Sequence, residues 1–218
     1  MVKKTGAEPV NKKKAVSKTV AKKQYHHGDL RRCLIAAASQ HIAHEGIDSL
    51  AVRALAKQLG VAHRAAYRHF PDKNSLLAEI LAAAYLRLST NLEAVAIIHQ
   101  ATALDRLLAI GECYSSFALS EPYLFLAMTG PRINQSEAYP TLEDSIKQTI
   151  ASFATVIADA QKQMLVEDGD SGTLAVIFIS ALQGVLTQIV LKRIKLSSKQ
   201  QTTFISSVVR RLIRSISR

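Results

Sequence analysis

The chain of 218 residues lacks tryptophan and holds only two cysteines, five prolines and nine glycines. Cys33 and Cys113 do not have the paired spacing of a zinc site, so we expect reduced thiols and no disulfide or metal framework. Alternating runs of β-branched residues are also scarce, which argues against a β-rich fold. Alanine, leucine and isoleucine recur at helical spacing instead, and 48% hydrophobic residues suffice for a core. The sequence therefore predicts an all-α protein.

Acidic residues are few as well, with 17 against 28 lysines and arginines, so the formal net charge is +11. Most of the excess lies in residues 1–27, a leader with eight lysines, one acid (Glu8) and no arginine. Such a basic, core-free segment is expected to be disordered and attracted to polyanions. It has no apolar segment of the kind that a secretory signal needs. We expect either an arm that contacts DNA or a solubility tail.

One uncharged segment, residues 171–191, is long enough to span a bilayer. It contains six serine, threonine and glutamine residues, and no tryptophan or tyrosine marks its ends. A helix buried on most sides by protein fits this pattern better than a transmembrane helix, which stays as the alternative.

The sequence contains no recognisable catalytic constellation. Ser115 and Ser116 lack the glycines of a nucleophile elbow, and no glycine-rich phosphate loop is present. His63 and His69 lie six residues apart with no cysteine or carboxylate to complete a ligand set. We therefore expect no enzymatic activity, no cofactor and no metal.

Residues 60–73, GVAHRAAYRHFPDK, form the densest cluster of hydrogen-bonding side chains. Gly60 permits a tight turn between two short predicted helices, the first of them capped by Asp48 or Ser49. Two short helices joined in this way predict a helix-turn-helix, whose second helix enters the major groove of DNA.

The second helix carries the predicted contacts to DNA. His63 and Arg64, near its N-terminus, are expected to face base edges, because arginine pairs with guanine through two hydrogen bonds. Phosphate contacts are expected from Tyr67, His69 and Lys73. Arg64 and Arg68 are alternatively an ordinary solvated face, and Tyr67 is alternatively a packing residue.

Residues 28–88 resemble the N-terminal domain of the TetR family of bacterial repressors. The family signature G-V-x-x-x-x-x-Y-x-H-F-x-x-K-x-x-L is matched by Gly60, Val61, Tyr67, His69, Phe70, Lys73 and Leu76. The resemblance implies a helix-turn-helix over residues 51–70 and implies that Arg53, Ala62 and Arg68 also lie at the DNA. A weaker resemblance, to a branch with a C-terminal Trp-His-Gly motif, rests on residues 25–30 and on the glycine of Leu182-Gln183-Gly184.

The chain departs from the family at two positions. Ala51 and Ala62 stand where the family usually has a serine or threonine that caps a helix and meets a phosphate. The loss predicts docking that is weaker by about 1 kcal/mol at each position. We expect the lysine-rich leader to offset this loss, because each neutralised phosphate releases counterions.

The resemblance further implies that residues 89–218 form a helical domain for ligand binding and dimerisation. The dimer would form through the last two helices, with these residues shared across the interface: Leu182, Val185, Leu186, Ile189, Val208 and Leu212. The candidates for an effector pocket, each alternatively a plain core residue, are Tyr114, Phe117, Phe125, Met128, Phe153, Phe178 and Gln183.

The sequence thus predicts a cytoplasmic homodimer that binds an inverted-repeat operator in double-stranded DNA and is released by an unidentified small molecule. No membrane association is expected. One alternative is an architectural DNA-binding protein with little sequence preference. A second is a helical ligand carrier or enzyme with a vestigial N-terminal unit.

Overall fold

A computed structural model of the protein describes residues 27–98, 102–130 and 139–218. The predicted leader therefore lies almost wholly outside the described residues. Within them the chain folds into nine helices, which confirms the predicted all-α class. The helices are α1 (His27–Glu45), α2 (Val52–Gln58), α3 (His63–His69), α4 (Lys73–Ile98), α5 (Ala103–Ser120), α6 (Pro122–Thr129), α7 (Pro140–Lys162), α8 (Ser171–Val190) and α9 (Ser198–Ile216).

The first three helices form a small head around Leu34, Leu55, Ala66 and Phe70, all of which are almost completely buried. The prediction that Asp48 or Ser49 caps the second helix is wrong. The N-cap of α2 is Ala51, that of α3 is Ala62, and neither helix has a side-chain cap. Both alanines thus occupy positions where a hydroxyl would satisfy a free backbone N–H.

Helix α4 joins the head to the rest of the molecule. It runs through 26 residues from Lys73 to Ile98, so the predicted domain boundary at residue 88 falls inside a continuous helix. Its first turns bury Leu76 and Leu77, and its later turns pack most extensively against α7 and α5. Helix α4 is therefore shared by the head and the body.

Helices α5, α7, α8 and α9 pack around the second half of α4. Helix α9 begins with a capping box, in which the Ser197 hydroxyl accepts from the backbone of Gln200 and the Gln200 side chain accepts from the backbone of Ser197. Gly111 lies opposite Val209 and allows α5 and α9 to approach closely. The chain end pairs with the α7–α8 connection through a bridge between Val166 and Ser217.

Two helices, α4 and α8, are long and apolar enough to cross a membrane by length and composition alone. Both are instead partly covered by other helices, with 44% and 39% of their most apolar windows buried. Helix α8 was predicted to be buried on most sides, but one of its faces is open. That face, defined here as the α8 outer face, consists of Ile177, Ser180, Ala181, Gly184 and Leu191.

Candidate nucleic-acid interface and effector cavity

The helix-turn-helix is shaped by one glycine and one alanine. Gly60 takes a φ of +68°, a left-handed conformation that glycine adopts without strain. The turn is closed by a hydrogen bond from the Val61 N–H to the Ala56 carbonyl, 3.0 Å long. Ala66 is completely buried, so this side of α3 packs closely against α1 and α2 and the opposite side faces outward.

The outward side of α3 presents His63, Arg64, Tyr67 and Arg68, all of them exposed. The His63 and Tyr67 rings meet edge to face with centroids 4.9 Å apart, so these two side chains support each other along one flank. Arg53, on α2, is exposed as well. These five residues are called the reading face below. It combines three guanidinium groups with an imidazole and a phenol, which are donors suited to phosphates and to guanine.

Three predicted DNA-binding residues are not part of the reading face: Ala62, which is the exposed N-cap of α3, His69 and Lys73. His69 is half-buried, on the side of α3 away from Arg64. Lys73 is half-buried too, and its ammonium donates hydrogen bonds to the carbonyls of Ile47 and Asp48. The prediction of a phosphate contact for Lys73 is corrected accordingly, because this side chain fastens the start of α4 to the α1–α2 connection.

The head is also braced by Arg31, a residue that the sequence analysis did not single out. Its guanidinium lies 5.5 Å from the centroid of the buried Phe70 ring and forms an ion pair with Glu79 of α4. The end of α3 is thereby tied to both α1 and α4. An exposed arginine on an amphipathic helix gives no sequence signal for such a role.

A cavity of about 210 Å³ lies between α4, α5, α6, α7 and α8, and it is partly open to the surface where the exposed Val176 and Ser180 line it. Three predicted pocket residues, Tyr114, Met128 and Gln183, line it. The other predicted residues do not. Phe125, Phe153 and Phe178 belong to a buried aromatic cluster in which Tyr114 meets Phe125 and Phe153 edge to face, with centroids 6.3 and 6.0 Å apart.

Phe117 is the remaining predicted pocket residue, and it lies outside the cavity as well. The Arg87 guanidinium covers its ring at 5.7 Å from the centroid. The pocket prediction is therefore corrected for Phe117, Phe125, Phe153 and Phe178. All four rings are buried in the core of the body, and none of them lines this cavity.

Sequence reasoning also missed several residues of the cavity wall, among them Tyr85 and Thr149. The Tyr85 hydroxyl donates a hydrogen bond of 2.8 Å to the Met128 carbonyl, and the Thr149 hydroxyl lies 3.3 Å from the Tyr85 carbonyl. Tyr85 and Thr149 sit on the buried stripes of long helices, where spacing alone does not separate core from cavity wall. The remaining wall residues are Thr129, Ile146, Ile150, Val176, Ile179 and Ser180.

The two tyrosines in the cavity stay uncharged across the physiological pH range. Burial raises the pKa of Tyr114 to about 12, although the hydrogen bond from Gln183 acts in the opposite direction. Burial, followed by the nearby Tyr114, raises the pKa of Tyr85. Gln183 donates this hydrogen bond from Nε2 to the Tyr114 hydroxyl oxygen over 2.7 Å.

Three of the six residues predicted for the dimer interface are buried within the chain. Leu182, Leu186 and Ile189 are almost fully buried within the chain, so they have no area left to share with a second copy. Val185, Val208 and Leu212 are half-buried. The exposed apolar side chains nearby are instead Ile177 and Leu191 on the α8 outer face and Phe204 on α9, with exposed fractions of 56%, 42% and 36%.

Comparison with known proteins agrees with this architecture. Residues 34–80 match the model of the tetR family of bacterial regulatory proteins. No curated protein sequence matches the chain. Among solved structures, the fold is similar to that of a protein of unknown function from Rhodococcus sp. RHA1, with 24% identity and a TM-score of 0.74. That comparison covers 90% of this chain and 100% of the other.

Two further structures with similar folds are regulators. One is the transcriptional regulator FadR from Bacillus subtilis in complex with stearoyl-CoA, with 20% identity, a TM-score of 0.69, and coverage of 85% of this chain and 98% of the other. The second is described as a TetR-family transcriptional regulator from Mesorhizobium loti, with 16% identity, a TM-score of 0.64, and coverage of 89% of this chain and 100% of the other.

The N-terminal head thus matches the DNA-binding domain of tetR-family regulators, and the fold of the whole chain is similar to that of a protein described as a TetR-family regulator. The chain carries the N-terminal domain of the tetR family at residues 34–80, and the prediction of that family is confirmed.

Proposed function

We propose that the protein is a cytoplasmic, non-enzymatic repressor that binds an inverted-repeat operator as a homodimer and leaves it when a small molecule binds. The observation that carries the proposal is the reading face, which sets Arg53, His63, Arg64, Tyr67 and Arg68 on the exposed side of a helix-turn-helix. Arg64 lies in the first turn of α3, the part of a recognition helix that reaches base edges. We assign Arg64 and His63 to bases and Arg53, Tyr67 and Arg68 to phosphates.

Dimerisation through the α8 outer face and the neighbouring flank of α9 supplies the symmetry that an inverted repeat requires. Ile177 and Leu191 are too exposed and too apolar to be expected together on a permanently solvated helix. Phe204, with the half-buried Val208, continues this surface on α9. Two heads held in this way read half-sites about 34 Å apart, which is one turn of DNA.

Helix α6 provides a direct route from the cavity to the head. Its C-terminal end contributes Met128 and Thr129 to the cavity wall. At its N-terminal end the Tyr123 ring lies against Gly46, where an added Cβ would be 3.4 Å from the ring. Gly46 ends α1 with a φ of +77°, so this contact reaches the first helix of the head.

An ion pair strengthens the same end of α6. The Arg87 guanidinium donates to both carboxylate oxygens of Glu121, over 2.6 and 2.7 Å, and thereby links α4 to the start of α6. A ligand that moves Met128 therefore acts on the head through α6, α1 and α4. The ligand shifts the equilibrium between the DNA-binding separation of the two heads and a different separation only as far as its affinities for these two conformations differ.

The lysine-rich leader is proposed as an arm that neutralises DNA phosphates. The caps of α2 and α3 are alanines, so two hydroxyl contacts to phosphate are missing from the head. The eight lysines of the leader supply a compensating attraction that does not depend on sequence. A shortened chain without the leader then binds specific and random DNA more weakly, with a shallower dependence on salt.

Selection from random duplex DNA at near-physiological salt tests the proposal. Enrichment of an inverted repeat, with half-site centres about one helical turn apart, supports a two-fold reader. A pool with only a compositional bias favours an architectural DNA-binding protein in which the leader dominates. The selected duplex also serves as the probe for all later measurements of DNA affinity.

A further inference from the structure

The wall of the cavity defines the chemical class of molecule that fits it. None of the described residues that line the cavity is charged. Its polar groups are two phenols, the hydroxyls of Thr129, Thr149 and Ser180, and the carboxamide of Gln183. A carboxylate or phosphate placed here would lose much of its hydration without gaining a cation from the described wall, and such a transfer is unfavourable. The wall therefore selects against anions.

The volume sets the second limit. Cavities for drug-sized ligands run from about 300 to 1,000 Å³, and an apolar cavity of about 150 Å³ takes up benzene. At about 210 Å³ this cavity accommodates a single substituted ring. It is too small to enclose the acyl chain of stearoyl-CoA, the ligand in the Bacillus subtilis FadR structure.

Two neighbouring groups in the wall fix the polarity of the ligand. The Tyr114 hydroxyl oxygen accepts a hydrogen bond from Gln183, and no other hydrogen bond of that hydroxyl occurs among the described residues. Its own proton is thus available to a ligand oxygen, and the Gln183 carbonyl oxygen is available to a ligand donor. An alcohol, a phenol or a primary amide can satisfy both groups at once.

The apolar wall is supplied by Ile146, Ile150 and Ile179, which surround the space beside this polar pair. A ring packed against these side chains gains the dispersion contacts that an empty cavity forgoes. The position of Met128 in the same wall links the ligand to α6, and its carbonyl is already held by Tyr85.

From this geometry we infer that the effector is an uncharged molecule the size of one substituted ring, bound through a hydroxyl or amide group to Tyr114 and Gln183. The inference rests on the proposed ligand-responsive function and names the ligand class of its cavity. The ligand can bind without breaking the hydrogen bond between Gln183 and Tyr114, because it uses the hydroxyl proton of Tyr114 and the carbonyl oxygen of Gln183.

Three probes of nearly equal size separate the contributions of polarity and charge. 4-Fluorophenol, fluorobenzene and 4-fluorobenzoate are titrated with the full chain at neutral pH and followed by ¹⁹F NMR. 4-Fluorophenol is expected to bind most tightly. Fluorobenzene should bind about five-fold more weakly, because it lacks the hydroxyl that forms hydrogen bonds with Tyr114 and Gln183. 4-Fluorobenzoate, which is ionised at this pH, is expected not to bind in the cavity.

Variants place the binding in the cavity. Gln183→Leu should bring 4-fluorophenol close to the affinity of fluorobenzene and leave fluorobenzene unchanged. Ile150→Phe fills the space and should abolish binding of both neutral probes. Ile98→Phe is the matched control, because Ile98 is 74% exposed at the end of α4 and does not line the cavity. Operator affinity without probe shows that each variant is folded.

Tighter binding of 4-fluorobenzoate than of 4-fluorophenol would overturn the inference, as would unchanged binding in Ile150→Phe. The outcomes also distinguish the inference from the proposed function. If 4-fluorophenol occupies the cavity and no bound ring alters operator affinity, the ligand class stands and ligand-induced release fails. If only stearoyl-CoA or another anion releases the operator, release stands and the ligand class is wrong.

Discussion

Replacing Gly111 by alanine should destabilise the contact between α5 and α9. A Cβ at this position would lie 2.7 Å from Cγ1 and 3.4 Å from Cγ2 of Val209, and 3.7 Å from Cε1 of Phe178. The first distance is far below ordinary van der Waals contact. Val209 is fully buried and β-branched, so its methyl groups cannot rotate away without a less favourable side-chain conformation.

The magnitude follows from two opposing effects. Overpacking of a filled core costs about 1–3 kcal/mol. Alanine gains about 1 kcal/mol over glycine inside a helix, and this partly offsets the clash. The net loss in the free energy of unfolding is therefore expected to be about 0–2 kcal/mol.

A double-mutant cycle tests this reasoning. Val209→Ala alone should destabilise the protein by about 1–3 kcal/mol, because it removes two buried methyl groups. Since it also removes the atoms that would meet the new Cβ, Gly111→Ala should become neutral or stabilising in the Val209→Ala background. The coupling between the two sites is expected to be about 1–3 kcal/mol, the size of the clash, because the gain in helix propensity is the same in both backgrounds.

The assay is denaturant unfolding followed by circular dichroism, at one fixed protein concentration because association contributes to apparent stability. If the effects of the two substitutions were additive, the close approach of α5 and α9 would be refuted.

Other predictions concern the head and the dimer. Lys73→Ala should lower the melting temperature, because the variant loses the hydrogen bonds to the carbonyls of the α1–α2 connection. If it weakened DNA binding without changing the melting temperature, Lys73 would be a phosphate contact after all. Ile177→Glu should shift the chain to monomer in sedimentation velocity, with Ile98→Glu unchanged as the matched exposed control. Gly46→Ala should lower the free energy of unfolding by at least about 1 kcal/mol, because alanine is strained at a φ of +77° and its Cβ would meet the Tyr123 ring. Unchanged stability in denaturant unfolding would contradict the packing of α6 on α1. Removal of residues 1–24 should reduce the salt dependence of DNA affinity measured by fluorescence anisotropy, and an unchanged slope would reject the arm.

Helix-breaking residues made the helices of the head largely predictable. Gly60 and Pro71 lie just outside α3, which runs from His63 to His69 as the second helix of the predicted helix-turn-helix. The start of α2 was not predictable, because alanine at an N-cap gives no signal and the nearby Asp48 and Ser49 give a misleading one. The role of Lys73 was missed for another reason: a long, flexible side chain reaches either a phosphate or a backbone carbonyl, and the sequence does not distinguish them.

The body was predictable only at the level of its helices. Helix α8 has apolar residues on almost every side, so the spacing of apolar and polar residues does not show which side faces the core. Leu182 and Ile177 are equally apolar, yet the first is fully buried and the second 56% exposed. The cavity was missed in part for a similar reason: large aromatic residues such as Phe153 fill space, whereas the open volume lies beside Tyr85 and Thr149.

The most direct test of the central claim compares the affinity for the selected duplex with the affinity for a shuffled duplex, in the original chain and in Arg64→Ala. If α3 reads bases, the substitution should cost about 1–3 kcal/mol on the selected duplex and much less on the shuffled one. The preference between the two duplexes should fall accordingly. Equal losses on both duplexes would show that Arg64 contacts only phosphates, and would contradict sequence recognition by the reading face.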